Sequence, residues 1–396
     1  MRMRETCGRT GFGALVASCV LIGVGYLRAR AAEPAASGAA DDVPPPRTSM
    51  SDSSVRYSVP EKGYVVLRRG PVEIVVVDNR AVDDAVLPGH RAGYHGVAWL
   101  KHAKQPRNLF VPAYAGLNFE HIHDGTAQPR EVLFEPRNAP MELRSVNEHA
   151  AELYQPPTPH WGLESCLRYA LLEDGVIEMT YECIPRRDCF KHGYIGLFWA
   201  SYIDHPESLD VHFMGWPAGA DGSPGWIRGV TPRHGELATH RAVGDSREFR
   251  HDADFPLTLV FHDSPCRYSE PWYFGLCRGM AYVQMFRNSD AIRLSQSPSG
   301  GGPGCPAWDF QWFIPNYRIG RRYQMVMRAA YLDMGGADEA AARDRVRTAV
   351  GPIRRGLPEG RGEDPQEVVS HPRRLIAPHI QPPPELAAKL GDNPSR

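Results

Sequence analysis

The densest run of groups able to do chemistry is Gly116-Leu117-Asn118-Phe119-Glu120-His121-Ile122-His123-Asp124-Gly125. Side chains alternate along a strand, so Glu120 and Ile122 are expected on one face and His121 and His123 on the other. Two imidazoles on one face suit a general acid beside a substrate donor, or two ligands of a zinc or copper ion. No spacing in the chain identifies a third ligand, so neither a metal nor another cofactor is expected. The plainer alternative is a set of polar residues at a strand end beside a turn.

A second run, Pro159-His160-Trp161-Gly162-Leu163-Glu164, gathers an imidazole, an indole and a carboxylate. An indole can stack on the apolar face of a pyranose while charged groups bind its hydroxyls, the usual mix of an apolar pocket with few placed polar groups. A core tryptophan at a strand entrance is the competing reading. A third run extends from Gln296 through Gly300-Gly301-Gly302-Pro303-Gly304-Cys305 to Trp308-Asp309-Phe310-Gln311. Its glycines lack a Gly-Lys-Ser continuation and open no helix, which argues against a phosphate loop and for a mobile or tightly turned loop beside a strand. Asp309 and Gln311 then share one face, with Trp308 and Phe310 on the other. Asp309 is a candidate base, or else an arginine's partner. Trp199 and Trp226 are further candidates for sugar contact, Trp226 because its Gly-rich surroundings give it little core to enter. The chain has no Gly-x-Ser-x-Gly elbow, no His-Glu-x-x-His helix and no Cys-x-x-Cys pair.

The elements that must hold these groups are strands. Among 396 residues there are 38 Gly and 36 Pro, punctuation that suits short strands joined by turns and disfavours long helices. Hairpins are expected around Arg69-Gly70-Pro71 and between 165–172 and 177–184. If Leu172 faces Ile177, Cys166 falls opposite Cys183. A disulfide there and two free buried thiols are both compatible with a large core. About fifteen strands in roughly 280 residues exceed one small barrel, and open sheets of that size split into two packed layers. The expected fold is therefore all-β, a large antiparallel β-sandwich over 55–335, with one C-terminal helix within 336–351 that stops at Gly351-Pro352.

The flanks carry addresses rather than chemistry. Arg2 and Arg4 precede an apolar run over 12–27, and Ala29-Arg30-Ala31 supplies small residues. This pattern reads as a secretory signal peptide over 1–31, hence a secreted or periplasmic protein. At about 16 residues the run falls short of the roughly 20 needed to span a bilayer, so membrane association is expected only if the segment is an uncleaved anchor. Residues 32–54 read as a flexible linker and 352–396 as a Pro-rich disordered tail. A net charge of -1 supplies no field to draw in nucleic acid.

With histidine and carboxylate groups placed mid-chain and late, the strand-rich span resembles the galactose mutarotase-like supersandwich proteins, a superfamily that also supplies domains to glycoside-active enzymes. The blocks 116–125, 193–203 and 297–311 also look like those of exported bacterial proteins of unassigned function. The resemblance implies an exported carbohydrate-active protein that holds a mono- or oligosaccharide on one sheet face. True aldose epimerases of this kind use a histidine acid and a late glutamate base. Here Asp309 stands near the late position, as an aspartate. Catalysis would assign proton donation to the ring oxygen to His121, His123 or His160, and removal of the anomeric hydroxyl proton to Asp309 or Glu164. Asn118, Glu120, Trp161, Trp199, Trp226 and Gln311 would bind the sugar. The same groups would serve a lyase or hydrolase, where two carboxylates flank the bond. A non-catalytic glycan-binding or cell-surface structural module is the alternative, favoured by the linker, the tail and the lack of a sharp motif.

Overall fold

The computed structural model describes residues 46–220 and 222–358. The expected signal peptide, most of the linker and the tail beyond 358 lie outside the described residues. Among those described, no helix is long and apolar enough to cross a membrane.

Strands β1 (Tyr64–Arg69), β2 (Val72–Val77) and β3 (Gly96–His102) form a small antiparallel sheet. The chain then enters β4 (Asn118–His123), two single-turn helices α1 (Arg130–Leu133) and α2 (Glu135–Asn138), and a run of hairpins. These are β5 (Glu142–Asn147), β6 (Ala150–Gln155), β7 (Leu163–Leu171) and β8 (Ile177–Pro185). They are followed by β9 (Tyr194–Ala200), β10 (Val211–Trp216), β11 (Gly225–Gly229), β12 (Thr239–Ala242), the short α3 (Thr258–Phe261) and β13 (Asp263–Tyr268). The last elements are β14 (Trp272–Cys277), β15 (Met280–Phe286), β16 (Arg293–Ser297), β17 (Ala307–Pro315), β18 (Tyr323–Asp333) and α4 (Glu339–Arg355).

Fifteen strands make one sheet in the order β4-β9-β17-β16-β12-β13-β10-β14-β15-β18-β8-β7-β6-β5, with β11 added on β10. Among the described residues its pairings are antiparallel except β12–β13. A sheet this wide must fold over to bury its faces, and its rings show that it does. Phe119 of β4 meets Tyr181 of β8 with centroids 5.1 Å apart, and Trp199 of β9 meets the same tyrosine at 4.9 Å. The β4-β9-β17 arm thus packs on the β18-β8-β7 arm, giving the two layers of a sandwich with Leu167, Met179, Trp308, Phe310 and Met327 between them. Such aromatic pairs contribute about 0.5–1.5 kcal/mol each beyond the area they bury.

Each arm also has an outer face. Ala342, Val346 and Val350, four residues apart on α4, cover β14, β15 and β18. Asp338 caps this helix by accepting from the Ala341 amide at 2.9 Å. The helix runs past the expected stop, through Pro352 to Arg355. Partners from outside hold its last turn, since Arg328 donates to the Ile353 carbonyl at 2.8 Å.

Two further expectations are corrected. The linker ends earlier than residue 54, because Thr48 and Ser49 are buried on the outer face of β6-β7-β8, where the Thr48 hydroxyl donates to Glu182 at 2.6 Å. In the β7–β8 hairpin Leu171 rather than Leu172 pairs with Ile177, so Cys166 faces Glu182 and Ser165 faces Cys183. A slip of one residue moves a side chain to the other face. Cys183 accordingly lies in the central core and Cys166 in an outer cluster with Met50 and Ile184, and both are free thiols.

Candidate active site

The outer face of β4-β9-β17-β16 carries the densest chemistry, and a break in strand register creates it. Along β4, Phe119 pairs with Trp199 and His121 with Phe198, so Glu120 is an extra residue opposite no partner of its own. A β-bulge of this kind re-aims side chains. Phe119 and Ile122 point into the central core, whereas Glu120 and His121 come to the same side, with His121 Nε2 3.4 Å from Glu120 Oε1. The alternation expected for Glu120 is corrected by the bulge, which removes it from the Ile122 face. Just ahead, Leu117 takes a left-handed φ of 48° with its hydroxyl-bonded backbone fully buried, strain that costs about 1–3 kcal/mol. On β17, Trp308 and Phe310 enter the core while Asp309 and Gln311 face outward beside β4 and β9.

Arg137 of α2 ties this group together. It pairs with Glu120 Oε1 at 3.0 Å, donates to Tyr202 Oη at 2.7 Å and to Asn118 Oδ1 at 3.2 Å, and stacks over Tyr94 at 4.1 Å. The Tyr202 hydroxyl in turn donates to Glu120 Oε2 at 2.8 Å. The helix is held in place by Glu135, whose carboxylate accepts from the backbone amides of His160 and Trp161. His123 sits against Gly196, where any Cβ would collide with its ring, inside a shell of Tyr194, Phe255 and Phe313. Among the described residues neither ring nitrogen of His123 has a hydrogen-bond partner. Gln311 donates to Thr239 and Ser295 at 2.9 and 2.6 Å, and its carbonyl oxygen has no partner among the described residues.

Burial sets the protonation states. Asp309 is 2% exposed; burial, reinforced by the charge of Glu120, pushes its carboxyl well above the usual carboxylate range, against the Ser201 amide that donates to it at 3.1 Å. Burial also drives His121 well below the ordinary imidazole value, helped by Arg137 and Arg130, and lowers His123 to about 3. Burial thus biases Asp309 towards its protonated form and both imidazoles towards their neutral form. The bias runs opposite to the roles expected from residue type, in which the histidines donate and Asp309 is the base.

The other expected residues lie elsewhere. Trp161 is buried with its ring stacked on Phe190 at 4.9 Å, and its indole N–H donates to the Val132 carbonyl. Trp199 is sandwiched between Phe119 and Phe310 at 4.9 and 5.1 Å. Core rings cover both indoles, so neither offers a face to a sugar. His160 is exposed at the rim beside Trp161, and Glu164 pairs with Arg186 and accepts from Tyr154. Trp226 is half-buried on β11 against Trp272 and Phe274. None of these five side chains makes a hydrogen bond or ion pair to the Glu120–Asp309 cluster among the described residues.

Two clefts, of about 460 and 390 Å³, also lie away from it: one lined by Glu270, Arg287 and Arg354, the other by Asp245, Arg247 and Tyr268. The cluster itself lies beneath Leu133, Phe134, Phe255 and Leu259. Residue-type reasoning missed Arg137 and Glu135, which sit on a four-residue helix with no periodicity to reveal it.

No family model matches this chain, and no curated protein is similar to it. Solved structures similar to it include a putative aldose 1-epimerase from Escherichia coli K12, with a TM-score of 0.34 and 11% identity, covering 68% of this chain and 98% of that one. The heparan sulfate lyase HepC from Pedobacter heparinus, as a mutant, is similar at a TM-score of 0.38 and 9% identity over 70% of this chain and 36% of the lyase. The α-N-acetylgalactosaminidase NagBb from Bifidobacterium bifidum is similar at 0.41 and 12% identity, over 74% of this chain and 39% of the enzyme. The chain thus spans nearly all of the epimerase homologue and little more than a third of the other two. At these scores each is a partial likeness of fold and says nothing of chemistry.

Proposed function

We propose that this chain is an exported sugar-processing protein whose acid–base chemistry is done by Asp309, His121 and Glu120 on the outer face of β4-β9-β17. The observation that carries the reading is the bulge at Glu120. It brings a carboxylate and an imidazole to the side of Asp309, whose carboxyl burial biases towards the protonated form. In one cluster this yields a neutral acid, a neutral imidazole able to accept a proton, and a carboxylate fixed by Arg137 and Tyr202. Asp309 would protonate the ring or bridging oxygen of a sugar, and His121 would take the proton released. Glu120 would steady the imidazolium that forms. The substrate class rests on the resemblance in sequence and on a face that mixes hydroxyl partners, Asn118 and Gln311, with rings such as Tyr94 and Phe134. Access requires the cover formed by α1, α2 and α3 to move, since Glu120 and His121 are each only 6% exposed.

The test is turnover of aldoses, by polarimetry and exchange NMR, and of oligosaccharides, by product analysis. Asp309→Asn is nearly isosteric with the protonated acid, so it should fold yet lose about 10²-fold or more of the rate. An unchanged rate on a substrate the wild type turns over would overturn the assignment. A glycan-binding module is the second reading, favoured by the internal pairing of Glu120 with Arg137 and Tyr202. Saturable sugar binding without turnover in the wild type would select it.

A further inference from the structure

The glycine-rich loop before β17 takes no part in the cluster above, yet it is tightly built around one thiol. The Gly301 amide donates to the Cys305 carbonyl at 2.8 Å, and the Cys305 amide donates back to the Gly302 carbonyl at 3.0 Å. A Cβ on Gly301 would press on the Cys305 side chain at 3.0 Å, and one on Gly304, where φ is +71°, would meet the His205 ring at 3.3 Å. The glycines therefore let this loop close on His205. That residue itself takes a left-handed φ of 44°, and the neighbouring Ile203 amide is tied to the Pro306 carbonyl at 2.9 Å.

The result is a convergence of three different donors. His205 Nδ1 lies 2.8 Å from Asp204 Oδ1 and 3.3 Å from Cys305 Sγ, and the three ligand atoms all fall within 4.8 Å of one another. A nucleophilic relay would use both imidazole nitrogens, one facing the carboxylate and the other the thiol. Here the sulfur is nearer to the nitrogen that already faces Asp204, at 3.3 Å against 3.8 Å for Nε2. Neutral imidazole cannot satisfy a carboxylate and a thiol through one nitrogen, whereas an ion placed among the three satisfies them all. Tetrahedral zinc, with Zn–S about 2.3 Å and Zn–N about 2.0 Å, sets the S···N edge at about 3.5 Å, which the rim position of His205 can supply by a small shift. Arg278 holds the other Asp204 oxygen at 3.0 Å, fixing the carboxylate while leaving Oδ1 to the centre. The His205 side chain is 68% exposed, so a fourth position faces solvent.

We propose that Asp204, His205 and Cys305 form a binding site for a zinc-class ion, with three protein ligands and a solvent ligand. The site clasps the strand exit at 203–205 to the glycine-rich loop. Cobalt(II) titration of the full chain reports it directly, through the thiolate-to-cobalt charge-transfer band. One equivalent is expected to produce the band, Cys305→Ser to abolish it and His205→Asn, which tolerates the left-handed backbone, to weaken binding. Cys189→Ser and Cys266→Ser should leave it intact. In a measurement that needs no variant, zinc should slow alkylation of Cys305 by iodoacetamide, read by peptide mass spectrometry. A wild type without the band, a band that survives Cys305→Ser, or alkylation indifferent to zinc would each overturn the proposal.

Discussion

Both arms of the folded sheet bury carboxyl groups on their outer faces. The burial of Glu152 and Glu182 in one arm is made tolerable in the opposite way to that of Asp309 in the other, where Glu120 is the carboxylate paired with an arginine. On β6-β7-β8, Glu152 and Glu182 are fully buried and surrounded by donors. Glu152 accepts from the Ser49 amide at 3.0 Å and pairs with Arg168 at 2.6 Å; Glu182 accepts from Thr48 and Ser51, each at 2.6 Å, and pairs with Arg322 at 2.6 Å. On β4-β9-β17, burial drives Asp309 towards its protonated form and His121 and His123 towards their neutral forms. A buried ionisable group must either be partnered or give up its charge. The first solution locks the charge into structure; the second leaves groups poised to exchange protons, a pattern that clusters at functional sites.

The sharpest way to break this contrast is to replace one carboxyl group in each arm. Glu152→Ala takes a fully buried carboxylate from the half-buried Arg168 and from the Ser49 amide, and donors left without a partner in this way cost about 1–3 kcal/mol. Denaturant unfolding should show it, with turnover per folded molecule unchanged. Asp309→Asn should do the reverse at neutral pH. The folded wild type holds the Asp309 proton to higher pH than the unfolded chain, which releases it near 3.8, so wild-type stability falls as pH rises above that value. Asparagine has no proton to lose. The variant should therefore be the more stable protein at pH 7, and its advantage should vanish below about pH 4. A variant less stable than wild type at pH 7 would mean that Asp309 is ionised, as the carboxylates of the other arm are.

His123 extends the comparison to acid. Its folded-state value, about 3, lies below the ordinary 6.5, so the unfolded chain takes up the proton first and stability drains away as pH falls through 6.5 toward 3. At pH 5 the loss from this one group amounts to about 2 kcal/mol. His123→Phe places a ring of similar size in an aromatic shell without that liability. The difference in unfolding free energy between variant and wild type should shift by this amount, in the variant's favour, on going from pH 7 to pH 5. A pH-independent difference would show that His123 titrates alike in the folded and unfolded chains.

The two arms were unequally legible. Alternating apolar residues and frequent Gly and Pro carried the layered β architecture, because burying one face of each strand is a period-two requirement written residue by residue. The β17 stripe of Asp309 and Gln311 follows the same rule. The β4 site does not. Nothing in Asn118-Phe119-Glu120-His121 announces an inserted residue, since a bulge is decided by the register that Trp199 and Phe198 impose from the next strand. The β7–β8 hairpin shows the same limit, where one residue of turn geometry separates Cys166 from Cys183. Arg137 was hidden for another reason: its role depends on a single helical turn held down by a carboxylate–amide contact from Glu135, and no local pattern reports that contact. The tryptophans misled because a large indole fills a sandwich core as readily as it lines a groove.

The smallest effect tests which arm holds the chemistry. Glu164 has the residue type of a sugar-site carboxylate, but it belongs to β7, where it pairs with Arg186 and accepts from Tyr154 at 2.8 Å. Its partner is one-third exposed, and a pair in that setting contributes about 0–1 kcal/mol. Glu164→Gln keeps an acceptor for the Tyr154 hydroxyl while deleting the charge. Unfolding should therefore change by no more than about 1 kcal/mol, and sugar turnover should equal that of the wild type. A rate loss comparable to that of Asp309→Asn would move the reacting groups to the His160–Glu164 rim. It would also leave the bulge at Glu120 as a structural feature of the partnered kind, like the buried carboxylates of the opposite arm.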